Sequence, residues 1–313
     1  MRPAMMNGPI MRVLRSAVRY HALLLGLVVL APIMAAALAP WLVAPADPEA
    51  RGPALTMIDG VPTAPPYPPG EEYWLGSDLR ARDLLSRLVF GARTTLGLAL
   101  AAAAIRIMLG AGLGWAAASF SGAVRSWVLV SASVSAALPA LLFAFLLITT
   151  IGPQRGMPVF LLGIGLSGWA AWTQLVYTGI QQIQAEPYME AALAVGATRR
   201  SQLRYYLLPN LLPSLLPVAA QEVAATLVIL AELGFLGIYL GIDRPVRLSD
   251  LLSGEQPQLP APEWGGMLAG TRLEVFRWYW LPLAPAAAFL TSILGLYLLA
   301  EGLRQWLTGS RRA

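Results

Sequence analysis

The chain has no lysine, no cysteine, a single histidine and few charges of either sign. Each shortage excludes something. All 22 basic residues are arginine, so there is no P-loop, whose lysine must reach the β- and γ-phosphates. Without cysteine there are no disulfides, thiolate metal sites or thiol nucleophiles. His21 stands at the edge of the first apolar run and reads as an interfacial structural residue, not a ligand or a base. Charged residues form 12% of the chain and hydrophobic ones 57%, with mean hydropathy +0.61. Soluble globular chains carry about 25% charged residues. The 313 residues therefore read as an integral membrane protein. The net charge of +5 is explained by arginines near span ends, with no need of nucleic acid as a partner.

Charge-poor runs of about 20 residues mark membrane spans, and six are found: 22–44, 94–124, 126–154, 157–185, 211–240 and 278–300. The expected fold is an all-α membrane protein of six transmembrane helices. The first run is too long for a cleaved signal peptide and lacks a small-residue cleavage site, so it reads as a retained helix. Orientation follows from arginine placement. With both termini inside, the inner segments hold Arg2, Arg12, Arg15, Arg19, Arg125, Arg199, Arg200, Arg204, Arg304, Arg311 and Arg312, against only Glu186, Glu190 and Glu301. The outer segments hold ten arginines against twelve acids, a bias that favours N-in, C-in. Residues 1–21 and 308–313 are then cytoplasmic ends. Residues 45–93 form an external loop, irregular in its proline-rich first part and amphipathic over 78–93, where a short helix lying at the outer membrane surface or against partner loops is expected. The remaining core, 94–307, contains an inner loop at 186–209 and a second external loop at 241–277.

The inner loop is a polar island with internal order. Pro187 suits the first turn of a helix, where its missing N–H costs nothing, and Glu190 in that turn favours the helix dipole. Gly196 can end the helix in the left-handed conformation, and Thr198 can cap a second one. Pro209 closes that second helix or opens the next span. The segment reads as helix, glycine turn, helix across one membrane face, a shape suited to a socket in another protein.

Three charges fall within spans, with Arg106 near the middle of the second, Glu222 near the middle of the fifth, and Glu232 further along the fifth. A charge at mid-membrane costs about 2.5–3.5 kcal/mol on insertion scales, so the first two must each face a partner or a cavity. A mutual ion pair of Arg106 and Glu222 is favoured over a substrate or proton site. Glu232, near the outer end of the fifth span, is either a polar cap or an outer gate residue. Gly110, Gly112 and Gly114 permit close helix approach. Trp169 and Trp172 share a helical face and read first as core.

Several segments together resemble a known family, the membrane permease subunits of binding-protein-dependent ATP-binding-cassette importers. The family's cytoplasmic signature is EAA, three residues, Gly, nine residues, Ile, one residue, Leu-Pro. Glu190, Ala191, Ala192, Gly196, Leu208 and Pro209 fall on that spacing, with Tyr206 in place of the isoleucine. Residues 75–93, LGSDLRARDLLSRLVFGAR, resemble LGTDxxGRDxLSRxxxGAR of the dipeptide and oligopeptide branch, with Ala81 where that branch has glycine. PAPEWGGML at 260–268 resembles PxxPxWGxML, Glu232 with GFLG resembles ESxLSFLG, and GLR at 302–304 matches a common terminal motif. Ser131, Ala132, Ser133 and Ser135 stand where relatives carry Asp and Arg, and Gln174 and Tyr177 replace arginines.

The resemblance implies a type I importer permease with cytoplasmic coupling helices. Its partners would be a second permease subunit, two cytoplasmic ATPases that hold the ATP and magnesium, an external solute-binding protein, and the lipid bilayer of a bacterial or archaeal cytoplasmic membrane. This chain itself would be no enzyme and would hold no cofactor or metal. The residues implied in ATPase coupling are Glu190, Ala191, Ala192, Gly196, Arg199, Arg200, Leu208 and Pro209. The rival reading from the residues is an ion-coupled secondary transporter with Arg106, Glu222 and Glu232 as its relay.

Overall fold

The computed structural model describes residues 9–58, 60–240, 262–271 and 274–310, with side chains between 21 and 307. Most of the second external loop, Arg2, Arg311 and Arg312, and the side chains of Arg12, Arg15 and Arg19 lie outside that description. Helix α1 is Pro9–Leu38 and α2 is Pro40–Val43. Two short strands follow, β1 (Thr56–Ile58) and β2 (Val61–Thr63), paired antiparallel with Ile58 opposite Val61. The proline-rich segment is therefore not wholly irregular, and the chain not wholly helical. Asp59-Gly60 is a strong hairpin signal between those strands, and Gly60 has φ +78°.

Helix α3 (Leu84–Ser119) corrects the expected amphipathic surface helix at 78–93. Its arginines are only partly turned to water: Arg80 and Arg93 are exposed, but Arg82 and Arg87 are buried, bonded to Glu49 at 2.8 Å each. Asp83 caps the helix, its carboxylate accepting from the Ser86 N–H at 2.7 Å and hydroxyl at 2.5 Å. With those charges paired and the cap at 83, no second boundary is needed, and α3 runs unbroken into the second span. Ala81, just before the cap, has φ +59° and is buried. Left-handed backbone costs a residue with a Cβ roughly 1–2 kcal/mol, which is why glycine suits this place in the resembling motif. Ala81→Gly is expected to raise stability by about 0.5–1 kcal/mol, read as the thermal midpoint of the purified chain.

The third and fourth expected spans are each broken. Helices α4 (Ala123–Ala136) and α5 (Ala140–Ile151) meet at 90°, and α6 (Met157–Gly165) and α7 (Trp169–Gln184) at 43°. Pro139 ends the first run because the residue before a proline is driven out of the α region. Next come α8 (Pro187–Ala194), α9 (Arg199–Ser201), a π-helical turn Gln202–Leu207 and α10 (Leu208–Phe235). The last described helices are α11 (Trp264–Thr271) and α12 (Trp280–Ser310). Among the described residues four helical runs are long and apolar enough to cross a membrane, and up to six if each bent pair is one span.

Close helix contacts depend on small residues, as in membranes generally. A Cβ on Gly110 would collide with Trp172 Cβ and lie 2.5 Å from the Trp169 carbonyl, and one on Gly114 would lie 2.6 Å from the Thr173 carbonyl. Gly112, between them, faces nothing within 4 Å. Gly110→Ala is expected to cost about 1–3 kcal/mol by overpacking α3 against α7, while Gly112→Ala is neutral. Equal thermal shifts for the two would refute this packing.

Candidate functional site

Three places carry polar chemistry. The first is a junction where distant motifs meet. Trp264 of α11 donates its indole N–H to the Leu88 carbonyl at 2.8 Å and its backbone N–H to Thr95 Oγ1 at 3.0 Å. Gly91 lies under the Trp264 ring, and Gly234 of α10 lies against the Gly265 backbone, each too close for a Cβ. The 75–93, 232–237 and 262–268 segments are thus one packing unit. Glu263, 4% exposed, accepts from the N–H groups of Gly265 (2.7 Å) and Gly266 (2.8 Å) and from the Thr95 hydroxyl (3.3 Å).

Burial pushes the Glu263 carboxyl above its ordinary value of 4.5, against the lowering effect of those three donors. Proton linkage then sets a sign. The unfolded chain loses this proton first as pH rises. The residue's contribution is therefore complete below 4.5 and is lost as pH climbs through the raised folded value. Thermal unfolding across that range is expected to show this slope, and Glu263→Gln to flatten it.

The second place is midway along α3 and α10. Arg106 on α3, 2% exposed, donates from Nη1 to Glu222 Oε1 of α10 at 2.7 Å. Its Nε donates to the Ile164 carbonyl at 2.8 Å and its Nη2 to Ser167 Oγ at 2.5 Å. Both acceptors lie at the α6–α7 break, where the Ile164 carbonyl, released from the regular helical ladder, also accepts from the Ser167 N–H at 3.2 Å and hydroxyl at 2.8 Å. Gly168 makes room there: a Cβ would stand 2.6 Å from the guanidinium carbon. The second Glu222 oxygen accepts from the Trp172 indole at 2.8 Å. Glu232 is not part of this group, lying ten residues further along α10, about 15 Å at the helical rise. It is exposed and makes no ion pair among the described residues.

Sequence reasoning missed Ser167, Thr95 and Glu263, and read Trp172 as core packing. Glu263 stood in view inside PAPEWGGML, at a position the motif leaves variable. Ser167 and Thr95 carry no signal in their own spans.

The third place is the 186–209 loop. Pro187 opens α8, with Glu190 in its first turn. Gly196 has φ +80°, and its N–H reaches the Leu193 carbonyl at 2.9 Å while Ala197 N–H reaches Ala192 at 3.0 Å. Those bonds occupy the terminal carbonyls of α8. Thr198 Oγ1 accepts from Ser201 N–H at 3.3 Å. Ala192 is buried, whereas Glu190, Ala191, Gly196, Arg199, Arg200, Leu208 and Pro209 are exposed. Of the two expected roles of Pro209 the second holds: it stands in the first turn of α10, and the run from Arg199 continues through it to Phe235. A proline ring clashes with the carbonyl four residues earlier, here Tyr205. The wider π turn lies over that carbonyl, and Leu208 N–H bonds back to Leu203. Tyr206, in the isoleucine's place, stacks on Tyr188 of α8 with ring centroids 6.4 Å apart.

The model of one protein family, described as "Binding-protein-dependent transport system inner membrane component", matches residues 108–310, which include the α6–α7 break, the whole loop and α10. The chain belongs to this family. The permease is 30% identical over 274 residues to a di/tripeptide transport system permease protein of Pseudomonas aeruginosa, covering 87% of this chain and 82% of the relative. It is 29% identical over 311 residues to a putative peptide transport system permease protein of Brucella abortus, covering 96% and 92%. A glutathione transport system permease protein of Pectobacterium atrosepticum is 26% identical over 236 residues, covering 75% and 72%. The permease is a transport subunit of an ATP-binding-cassette importer. An ion relay through Arg106, Glu222 and Glu232 is not favoured, by family or by the separation of Glu232 from the other two.

Proposed function

We propose that this permease carries peptides or peptide-like solutes across the cytoplasmic membrane of a bacterium or archaeon, with six spans and both termini inside. It lines the path together with a second permease subunit. An external binding protein delivers the solute, and two cytoplasmic ATPases supply the energy. The 186–209 loop docks on one of them as the coupling element. The observation that carries this reading is the loop itself: a capped helix and a left-handed glycine present Tyr188, Leu193, Val195 and Tyr205 outward, with Val195 84% exposed. Apolar side chains on a rigid, bonded frame suit a protein groove better than lipid or water. Peptide chemistry as the cargo is supported by the names of the relatives and by the three converging motifs.

The test is purification of the tagged chain with its chromosomal neighbours in mild detergent, followed by ATPase assay with candidate binding proteins. An attached ATPase stimulated by a loaded binding protein is expected. Recovery of the chain alone would refute the reading.

A further inference from the structure

The loop has two stems, and they are held together by polar contacts at one level. Gln184 ends α7 and leads into α8, while α9 leads through the π turn into α10. Between the loop and Glu222 the stems face each other across an apolar groove of about 520 Å³. Val176 and Ile180 line one side of it, and Leu207, Leu211 and Leu215 the other. Apolar contact is non-directional, so these surfaces can slide without losing a specific partner. At the head of the groove the contacts change character. Trp172 lines the groove and also donates to Glu222, whose other oxygen holds Arg106. Arg106 is bonded in turn to the end of α6 and to Ser167 in the α6–α7 break, and α3 is locked to α7 at Gly110 and Gly114. Helices α3, α6 and α7 thus form one body; α10 packs on it through apolar side chains such as Leu227 and Leu230, and Glu222 adds the polar bonds of fixed geometry.

We propose that the Arg106–Glu222–Trp172 clamp is the positioning element that carries movement of the loop into the half of α10 beyond Glu222. The inference rests on the coupling role assigned to the loop above. With the clamp closed, displacement of α8 moves α7, and α10 follows through a charge-assisted bond of fixed geometry. With the clamp open, the same displacement is taken up by sliding across the groove. Residues that transmit coupling need not touch either ligand, provided they join elements with two arrangements.

The absence of cysteine makes the test direct. Leu236→Cys places one thiol at the far end of α10, at a side chain 49% exposed. Its labelling by a polar maleimide is followed on this chain, within the complete complex with its ATPases, with and without ATP and magnesium. In the otherwise native chain ATP is expected to change the labelling rate roughly tenfold, a usual size for coupling between sites. In Arg106→Gln with Glu222→Gln the change falls below about twofold, while the ATPase stays attached and active. Trp172→Phe, which keeps an aromatic ring at this place and loses the bond to Glu222, gives an intermediate change and guards against misfolding of the double variant. A native-sized change in both variants overturns the clamp and leaves the coupling reading standing. So does the absence of any ATP effect at residue 236 in the native chain. Loss of the attached ATPase in both variants reduces the clamp to a structural part and also overturns the proposal. Failure of the native chain to hold an ATPase overturns the coupling reading instead.

Discussion

Gly196→Pro leaves the chain inserted in the membrane and lowers solute uptake at least about tenfold, the expected result of breaking one turn in the coupling loop. Gly196 sits at φ +80°, and a proline ring fixes φ near −65°. The substitution also removes the N–H that reaches Leu193 and pushes Val195 out of its near-helical backbone. The end of α8 must then unwind, and the exposed Leu193 and Val195 leave the frame that presents them. Gly196→Ala keeps the N–H and bears only the left-handed penalty of roughly 1–2 kcal/mol, so it is expected to retain most uptake. Uptake of a labelled dipeptide, with the permease quantified by immunoblot of membranes, separates the two. Wild-type uptake in the proline variant would remove the loop from the coupling role.

Removing one partner of the Arg106–Glu222 pair has the second large effect. Breaking a buried ion pair costs about 3–5 kcal/mol, because the remaining charge stays buried without its partner. Arg106→Ala leaves Glu222, 13% exposed, with only the Trp172 indole. Glu222→Ala leaves Arg106 with two neutral acceptors, Ile164 and Ser167, and is the milder change. Exchange of both, Arg106→Glu with Glu222→Arg, should be better tolerated than either reversal alone. Recovery is incomplete, because a carboxylate at 106 meets the Ile164 carbonyl where a donor is required. Thermal stability in detergent ranks the variants, and a double exchange no better than the single reversals would mean that the two charges do not support each other.

How far the sequence foretold this molecule depends on the range of the interaction concerned. The α8 start at Pro187, the glycine turn at 196 and the Thr198 cap depend on neighbours within four residues, and local chemistry was enough to place them. Long apolar runs located the helices but not their breaks, since Pro139 and Ser167-Gly168 sit in stretches that hydropathy reads as continuous. The expected surface helix at 78–93 went wrong for a related reason. Alternation of leucine and arginine implies a wet face only if nothing covers it, and Glu49, more than thirty residues upstream, neutralises Arg82 and Arg87. Glu263, Thr95 and Ser167 were invisible because each is defined by a partner far along the chain: the Glu263–Thr95 bond spans 168 residues. Arg106 and Glu222 could be singled out from 116 residues apart because unpaired charge in a membrane is costly enough to demand a partner.

The π turn at Gln202–Leu207 has a practical consequence for building hybrids of this permease with its relatives. In an α-helix each residue advances the side chains by about 100°. A turn wound with one extra residue resets that phase for everything after it. The loop and the upper part of α10 therefore keep separate registers, joined only through this turn. A loop grafted from a relative that lacks it would rotate position 222 away from Arg106 by about a quarter of a circle or more. Hybrids should keep the native 202–222 segment whole and be spliced before Gln202.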